Sequence, residues 1–171
     1  VTKLKNTNIK LADTRKTTPG LRIFEKYAFR CGGGINHRMG LYDAAMIKEN
    51  HIAWSNNLKD SVNKIRSNTP FTTHIIIEAE NLLQAKDAII AGADSLLLDE
   101  FEPDSLSDSI RELRDLSFNN FPKENKKKLV IEVSGINANE IDKYLIDGID
   151  FISTSSPITK SNWIDLSMRY Y

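Results

Sequence analysis

Charged and hydroxyl side chains in this sequence recur where short apolar segments end, with cations mostly in the first third and carboxylates after them. Arginine and lysine bind carboxylate and phosphate groups, and one arginine can hold a carboxylate through two parallel hydrogen bonds. Such a collection predicts a site for an anionic small molecule. The residues are Arg15, Lys16, Lys48, Glu78, Glu80, Asp99, Glu100, Ser134 with its neighbour Gly135, Ser153, Thr154, Ser155 and Ser156. Of these, Glu80 and Glu100 are expected to face solvent.

The stretch DTRKTTPGLR, residues 13–22, places two adjacent cations between a predicted strand and a predicted helix. Successive residues of a strand point to opposite faces, so Arg15 and Lys16 would diverge if the strand continued. Pro19 fixes its own φ and Gly20 tolerates an unusual one, which favours a turn. The turn would let both cations converge on one ligand, although a plain surface pair is the alternative.

His37 and Arg38 follow the three glycines at 32–34, and together they offer several donors to a carboxylate. The glycines match neither the phosphate-binding loop of nucleotide hydrolases nor the dinucleotide-binding fingerprint. His51 is equally consistent with a ligand-binding residue and with one that bonds the backbone. This part of the chain therefore adds donors to the predicted anion site but no nucleotide motif.

Composition is typical of a soluble globular protein, with 40% hydrophobic and 27% charged residues and a formal net charge of zero. The charge is uneven, because residues 1–51 carry ten Lys and Arg against four Asp and Glu. No basic helix face interleaves with aromatic residues, which argues against a nucleic-acid partner. A single cysteine, Cys31, indicates a reducing, cytoplasmic compartment. No apolar run is long enough to span a bilayer, so we expect no membrane association.

Apolar strands alternate with amphipathic helices along the chain, which predicts a parallel α/β fold. Periodicity leaves open whether the sheet is a barrel or an open sheet. Runs such as HIIIEA and SLLLDE suit strands that are buried on both faces. Gly92 is a predicted helix C-cap. The predicted strands are 8–15, 44–48, 73–80, 95–100, 128–135 and 150–155, the helices 21–30, 57–68, 81–92, 104–117 and 137–148, and a polar loop 119–128.

The candidate residues fall at the carboxyl ends of these predicted strands, the edge where parallel α/β folds bind ligands. One polar strand end carries little weight, but five or six together predict a single site. Glu78 and Asp99 would lie beside each other there. They would repel unless a cation or a metal ion lies between them.

The chain resembles the quinolinate phosphoribosyltransferase family in its motifs. The signatures DTRKT-PGLR, GG-x-NHR-x-GL-D and IK-D/E-NH occur in order within residues 13–52. The E-x-E at 78–80 and the later AGAD, LLLDEF, EVSG and GIDFIS fit as well. The resemblance covers almost the whole chain. It implies a TIM-like parallel α/β barrel, here six-stranded and incomplete.

By position, the resemblance gives the candidates roles around two substrates, quinolinate and phosphoribosyl pyrophosphate. The two carboxylates of quinolinate would be held by Arg15, His37 and Arg38. The catalytic residues Lys16, Lys48, Glu78 and Asp99 would contact phosphoribosyl pyrophosphate. The carboxylates of Glu78 and Asp99 would also orient the Mg²⁺ on its pyrophosphate. Its 5′-phosphate would be held by Ser134, Gly135, Ser155 and Ser156.

The implied reaction joins the phosphoribosyl group to the pyridine nitrogen and removes the 2-carboxylate, giving nicotinate mononucleotide, pyrophosphate and CO₂ in NAD biosynthesis. Residues 1–171 would be the catalytic barrel domain, without the N-terminal domain of the family. The complete protein would be a homodimer or a higher homo-oligomer. Where the family has a Gly-Ala-Leu-Thr-His run, this chain has SSPITK, so hydroxyls and Lys160 would hold the phosphate.

Two other functions stay open on the sequence. A related phosphoribosyltransferase of the nicotinate or molybdenum-operon type would act on a different pyridine, although Arg15, His37 and Arg38 favour two carboxylates. A non-catalytic barrel remnant would bind anions or a partner without turnover, which the expected lack of an N-terminal domain supports. Retention of every charged position expected for the chemistry argues against the remnant.

Overall fold

The computed structural model describes residues 2–55, 57–120, 129–162 and 164–170. Six strands alternate with helices, and each strand that the sequence predicts is present. The strands are Lys10–Ala12 (β1), Ala44–Ile47 (β2), His74–Ala79 (β3), Ser95–Asp99 (β4), Val130–Ser134 (β5) and Phe151–Ser153 (β6). The α-helices are Arg22–Cys31 (α1), Glu49–Ala53 (α2), Leu58–Asn68 (α3), Leu82–Ala91 (α4), Pro103–Asn120 (α5) and Ser156–Thr159 (α6).

The strands form one parallel sheet in the order β1-β6-β5-β4-β3-β2. From β2 to β6, strands that follow each other in the chain are neighbours in the sheet, and β1 returns to pair with β6. This order is that of a barrel rather than of a doubly wound sheet. The ring is open between the edge strands β1 and β2, so the expected incomplete six-stranded α/β barrel is confirmed.

The segment 35–38 lies in the opening between the two edge strands. It forms a parallel bridge to Ala12 of β1. On the other side, Nη1 of Arg38 donates to the carbonyl oxygen of Ala44 in β2 at 2.9 Å. The amide of Asp13 donates to this segment rather than to the sheet, which explains why β1 ends earlier than the sequence predicts.

The two faces of the sheet bury different kinds of side chain, because residues alternate along each strand. The outer face packs against the helices and forms the main hydrophobic core. The inner face carries only a small apolar cluster, and its remaining positions include polar side chains that point toward the centre of the ring. The outer face includes Ile77, Leu98, Val133 and Ile152, and the inner cluster is Ala44, Met46, Ile76 and Leu97.

One predicted helix has a different form. Residues predicted as an α-helix at 137–148 form a 3₁₀ helix, Ala138–Tyr144. Its three-residue turn places Ile141 and Tyr144 on the same side, and both pack into the main core. Gly92 caps α4 with φ of 94°, which confirms the predicted left-handed C-cap.

The predicted polar loop at 119–128 lies mostly outside the described residues, since nothing between 121 and 128 is described. Its first two residues belong to the end of α5. Within the described part of the chain, no helix is both long and apolar enough to cross a membrane.

Candidate functional site

A cavity of about 570 Å³ opens at the carboxyl ends of the strands. Its wall takes residues from every strand end and from the segment 35–38. Glu80 and His51 do not line it. All twelve residues that the resemblance assigns to substrates do: Arg15, Lys16, His37, Arg38, Lys48, Glu78, Asp99, Ser134, Gly135, Ser155, Ser156 and Lys160.

The corner after β1 is a tight turn, as its sequence predicts. The amide of Leu21 donates to the carbonyl oxygen of Thr18 at 3.0 Å, and Gly20 has φ of 81°. A proline before such a glycine is typical of a type II turn. The turn allows Arg15 and Lys16 to line the same cavity.

Two guanidinium groups share the cavity with unused donors. Nε of Arg15 and Nε of Arg38 are both buried, and neither has a hydrogen-bond partner in the part of the chain that the structure describes. The pKa of Arg38 is lowered from its ordinary value, first by burial and then by the charge of Arg15. Two partly buried like charges with free donors are stabilised by an anion that accepts from both.

A fully buried ion pair supports this part of the wall. Nζ of Lys26, on α1, bonds the carboxylate of Asp13, and both side chains are 0% exposed. The same carboxylate accepts from the amide of His37 at 2.8 Å, and Lys26 donates to the His37 carbonyl oxygen at 3.2 Å. The pair therefore fixes the backbone immediately before Arg38.

Lys48 and Glu78 form a close ion pair across β2 and β3. Nζ of Lys48 donates to both carboxylate oxygens of Glu78, at 2.9 and 2.6 Å. Burial raises the pKa of Glu78 above its ordinary value, and the negative charge of Asp99 adds to this, whereas Lys48 opposes it. A cation thus pairs with Glu78, one of the two carboxylates that the sequence expects to repel each other.

Replacing Glu78 with glutamine is expected to raise the free energy of unfolding at neutral pH and to change it little in acid. A raised pKa means that the folded state holds the proton more tightly, so the stability that the protonated form contributes is lost as pH rises through the folded pKa. Glutamine carries no charge to desolvate, and Lys48 is exposed enough to stay solvated.

The measurement is the melting temperature of both proteins from about pH 4 to about pH 8. Glu80→Gln, at an exposed position two residues along the chain, is the matched control. A lower melting temperature for Glu78→Gln at neutral pH would contradict the assigned sign of the shift.

The ends of β4 and β5 pack closely beside this pair. Oγ of Ser134 donates to Oδ1 of Asp99 at 2.5 Å. Gly135 has φ of 74°, and a Cβ atom there would come within 2.7 Å of Cγ of Glu100. Glycine is thus required both by its backbone angle and by the space available. It leaves a backbone surface facing the cavity next to two polar side chains.

Hydroxyl groups close the wall after β6. Oγ1 of Thr154 donates to Oγ of Ser156 at 3.1 Å, and the amide of Ser156 donates to Thr154 at 3.2 Å. Ser155 precedes the short helix α6, and Lys160 follows it. Hydroxyls and an exposed lysine therefore line the same end of the cavity.

The two candidate histidines, His37 and His51, have different partners in the structure. His51 accepts the backbone amide of Lys48 at Nδ1, at 3.1 Å, so the backbone-bonding alternative for this residue is the observed one. His37 lines the cavity, and its Nε2 lies 3.2 Å from Oε2 of Glu132. Sequence reasoning missed Glu132. The only signal is a lone carboxylate at an alternating position of the apolar strand β5.

The model of the family described as quinolinate phosphoribosyl transferase, C-terminal domain, matches residues 1–169. A protein of Synechocystis sp., named a probable nicotinate-nucleotide pyrophosphorylase (carboxylating), is 38% identical over 94% of this chain and 52% of its own length. The enzyme of that name from Dictyostelium discoideum is 36% identical over 94% of this chain and 51% of its length. The chain thus spans about half the length of the curated relatives that it matches.

Solved structures agree with the sequence relatives. NadC from Streptococcus pyogenes superimposes with a TM-score of 0.84 at 35% identity, over 99% of this chain and 55% of that one. A NadC deletion mutant gives the same TM-score at 36% identity, over 99% of this chain and 56% of that one. With a family model that matches nearly every residue and relatives this similar in sequence and fold, the chain belongs to the quinolinate phosphoribosyltransferase family.

Proposed function

We propose that this domain carries the active site for phosphoribosyl transfer from phosphoribosyl pyrophosphate to quinolinate, with decarboxylation to nicotinate mononucleotide. The observation that supports it most directly is the pair of guanidiniums in one cavity. Arg15 and Arg38 each keep a buried Nε donor without a partner among the described residues. A ligand with two adjacent carboxylates would satisfy both donors and offset the two positive charges.

The opposite side of the cavity suits the phosphoribosyl donor. Lys16 and Lys48 supply positive charge for a pyrophosphate, and charge-assisted bonds to such a group are stronger than neutral ones. Glu78 and Asp99 can accept the ribose hydroxyls. These four residues are the proposed catalytic contacts.

Magnesium fits this site as a companion of the pyrophosphate. The described residues contain no group of three or more His, Cys, Asp or Glu side chains that could hold a metal ion alone. Mg²⁺ is commonly bound by one or two carboxylates together with substrate phosphates. Glu78 and Asp99 would hold it, and the bound ion would neutralise charge on the departing pyrophosphate.

The 5′-phosphate of the donor fits the far end of the cavity. Ser134 and the backbone at Gly135 face one side of it, and Ser155 and Ser156 the other. Lys160 also lines the cavity and supplies a positive charge. Hydroxyls, amides and a lysine are the ordinary partners of a phosphate monoester.

The reaction that these residues would promote has two steps. The pyridine nitrogen attacks the anomeric carbon as the bond to pyrophosphate breaks, and the lysines stabilise the charge that develops on the leaving group. The bond from C2 to its carboxylate then breaks, CO₂ leaves, and the electron pair stays on C2 beside the quaternised nitrogen. C2 takes a proton from water, and no covalent enzyme intermediate is needed.

The proposal extends to the protein that contains this domain. We expect residues 1–171 to act as its catalytic barrel, together with the further domain of the family, in a cytoplasmic homodimer or higher homo-oligomer. A partner surface would complete the cavity, which is open to solvent at the strand ends in this chain. Binding of nucleic acid or membrane is not expected.

An assay of this chain with quinolinate, phosphoribosyl pyrophosphate and Mg²⁺ tests the function. We expect slow release of CO₂ with formation of nicotinate mononucleotide that requires all three components and is lost in Arg38→Ala. Quinolinate binding without any product would instead support a non-catalytic anion-binding barrel. Equal turnover of nicotinate would support the single-carboxylate alternative.

A further inference from the structure

Glu132 is a buried carboxylate that the proposed chemistry does not use. It is 5% exposed, in the middle of β5, between Ile131 and Val133, which are both fully buried on the outer face. One oxygen, Oε2, meets His37, but Oε1 is buried without a hydrogen-bond partner in the described ranges. A half-satisfied buried carboxylate costs folding free energy, so packing does not account for it.

His37 has a protein partner at each of its four polar atoms. Its amide donates to Asp13, and its carbonyl oxygen accepts from Lys26. Its Nδ1 accepts the backbone amide of Arg38 at 2.7 Å, and its Nε2 faces Glu132 at 3.2 Å. No donor of His37 is left over for a ligand.

These contacts fix the tautomer of the ring. A backbone N–H can only donate, so Nδ1 of His37 must present its lone pair to Arg38. The proton of the neutral ring is then on Nε2, where it donates to the carboxylate of Glu132. Among these contacts, Glu132 is the charged side chain that meets the ring, whereas the side chains of Asp13 and Lys26 bond the backbone of His37. Arg38 meets the ring through its backbone amide.

We propose that Glu132 is a positioning residue, which holds His37 with its proton on Nε2 so that His37 sets the backbone of Arg38. The carboxylates of the ligand are then bound by Arg15 and Arg38, and His37 does not donate to them. Only the identity of the ligand in this inference rests on the proposed function. The tautomer belongs to the free chain.

Nuclear magnetic resonance of the chain with ¹⁵N-labelled histidine tests the assignment without any ligand. The sequence has three histidines, so His37→Asn identifies the signal of interest, and His51 and His74 serve as internal controls. At a pH above the ordinary histidine range, we expect a slowly exchanging proton on Nε2 of His37 and an unprotonated Nδ1. A proton on Nδ1, or one that exchanges with water as fast as that of His51, overturns the proposal.

Two variants of Glu132 distinguish a role in positioning His37 from a role in packing alone. Glu132→Gln keeps an acceptor oxygen, so the Nε2 proton signal should remain, and quinolinate affinity should stay within about threefold. Glu132→Leu removes the acceptor, so the signal should vanish and affinity should fall by roughly tenfold. A signal or an affinity that is unchanged in a folded Glu132→Leu chain contradicts the role. If that variant does not fold, the exchange rate in the wild-type chain decides.

The same spectrum of the chain saturated with quinolinate completes the test. If the arginines alone hold the carboxylates, the Nε2 proton signal of His37 persists when the ligand is bound. Its loss on binding would show that His37 turns to the ligand, which overturns the inference. Absence of binding would count against the proposed function and leave the tautomer result intact.

Discussion

Replacing Arg38 with alanine is expected to weaken quinolinate binding by roughly 100-fold or more. A charge-assisted hydrogen bond contributes about 1.5–3 kcal/mol, and about 1.4 kcal/mol corresponds to tenfold in affinity. The guanidinium is partly buried, it has a free Nε donor, and Arg15 stands beside it as a second cation. Losing two such bonds to a carboxylate gives the expected range.

Isothermal titration calorimetry of quinolinate on wild type and Arg38→Ala is the measurement. Arg111→Ala is the matched control, since Arg111 is exposed on α5 and its side chain pairs with the equally exposed Asp108. Arg38→Lys keeps the charge but loses the planar fork, and it should lie between the two. Wild-type quinolinate affinity in a folded Arg38→Ala chain would show that Arg38 does not bind the carboxylates of the ligand.

Replacing Lys48 with methionine is expected to weaken binding of the Mg²⁺ complex of phosphoribosyl pyrophosphate by about 100-fold. The change removes a cation from the proposed pyrophosphate site. It also leaves Glu78 buried without the lysine that donates to both of its oxygens. An uncompensated carboxylate beside an anionic ligand adds to the loss.

Quinolinate binding provides the contrast for this variant. Lys48→Met should leave quinolinate affinity within about threefold, whereas Arg38→Ala should leave affinity for phosphoribosyl pyrophosphate nearly unchanged, because the proposal places the two ligands on different sides of the cavity. Lys64→Met, an exposed position on α3, controls for loss of a surface lysine. If both variants weaken both ligands equally, the proposed division of the cavity is wrong.

Strand ends and turn chemistry made much of this site predictable. The corner at residues 17–20 follows from proline and glycine at successive positions, and parallel strands bring their carboxyl ends to one edge. Arg15 and Asp99 therefore line the same cavity although they are 84 positions apart in the sequence. Which residue faces which ligand came only from the resemblance and stays a prediction.

Other features depend on contacts that no local pattern records. Glu132 and His37 are 95 residues apart, and neither flanking sequence signals that they pair. The cation that pairs with Glu78 is Lys48, which the resemblance assigns to phosphoribosyl pyrophosphate instead. The helices α2 and α6 have only five and four residues, too few to show a helical period.

The position of segment 35–38 is set by tertiary contacts and is not predicted by its local sequence. Glycines at 32–34 predict only a flexible loop, yet the residues after them lie between the two edge strands of the ring. Their position follows from the opening that six strands leave and from the buried pair of Asp13 and Lys26. Neither is visible in composition or periodicity.

Calorimetry of this chain with quinolinate against nicotinate tests the central claim most directly. The claim is that Arg15 and Arg38 together recognise two adjacent carboxylates. Removing one carboxylate should leave one guanidinium unpaired, so quinolinate is expected to bind at least about 30-fold more tightly than nicotinate. Equal affinity for the two ligands, or tighter binding of nicotinate, would contradict the claim.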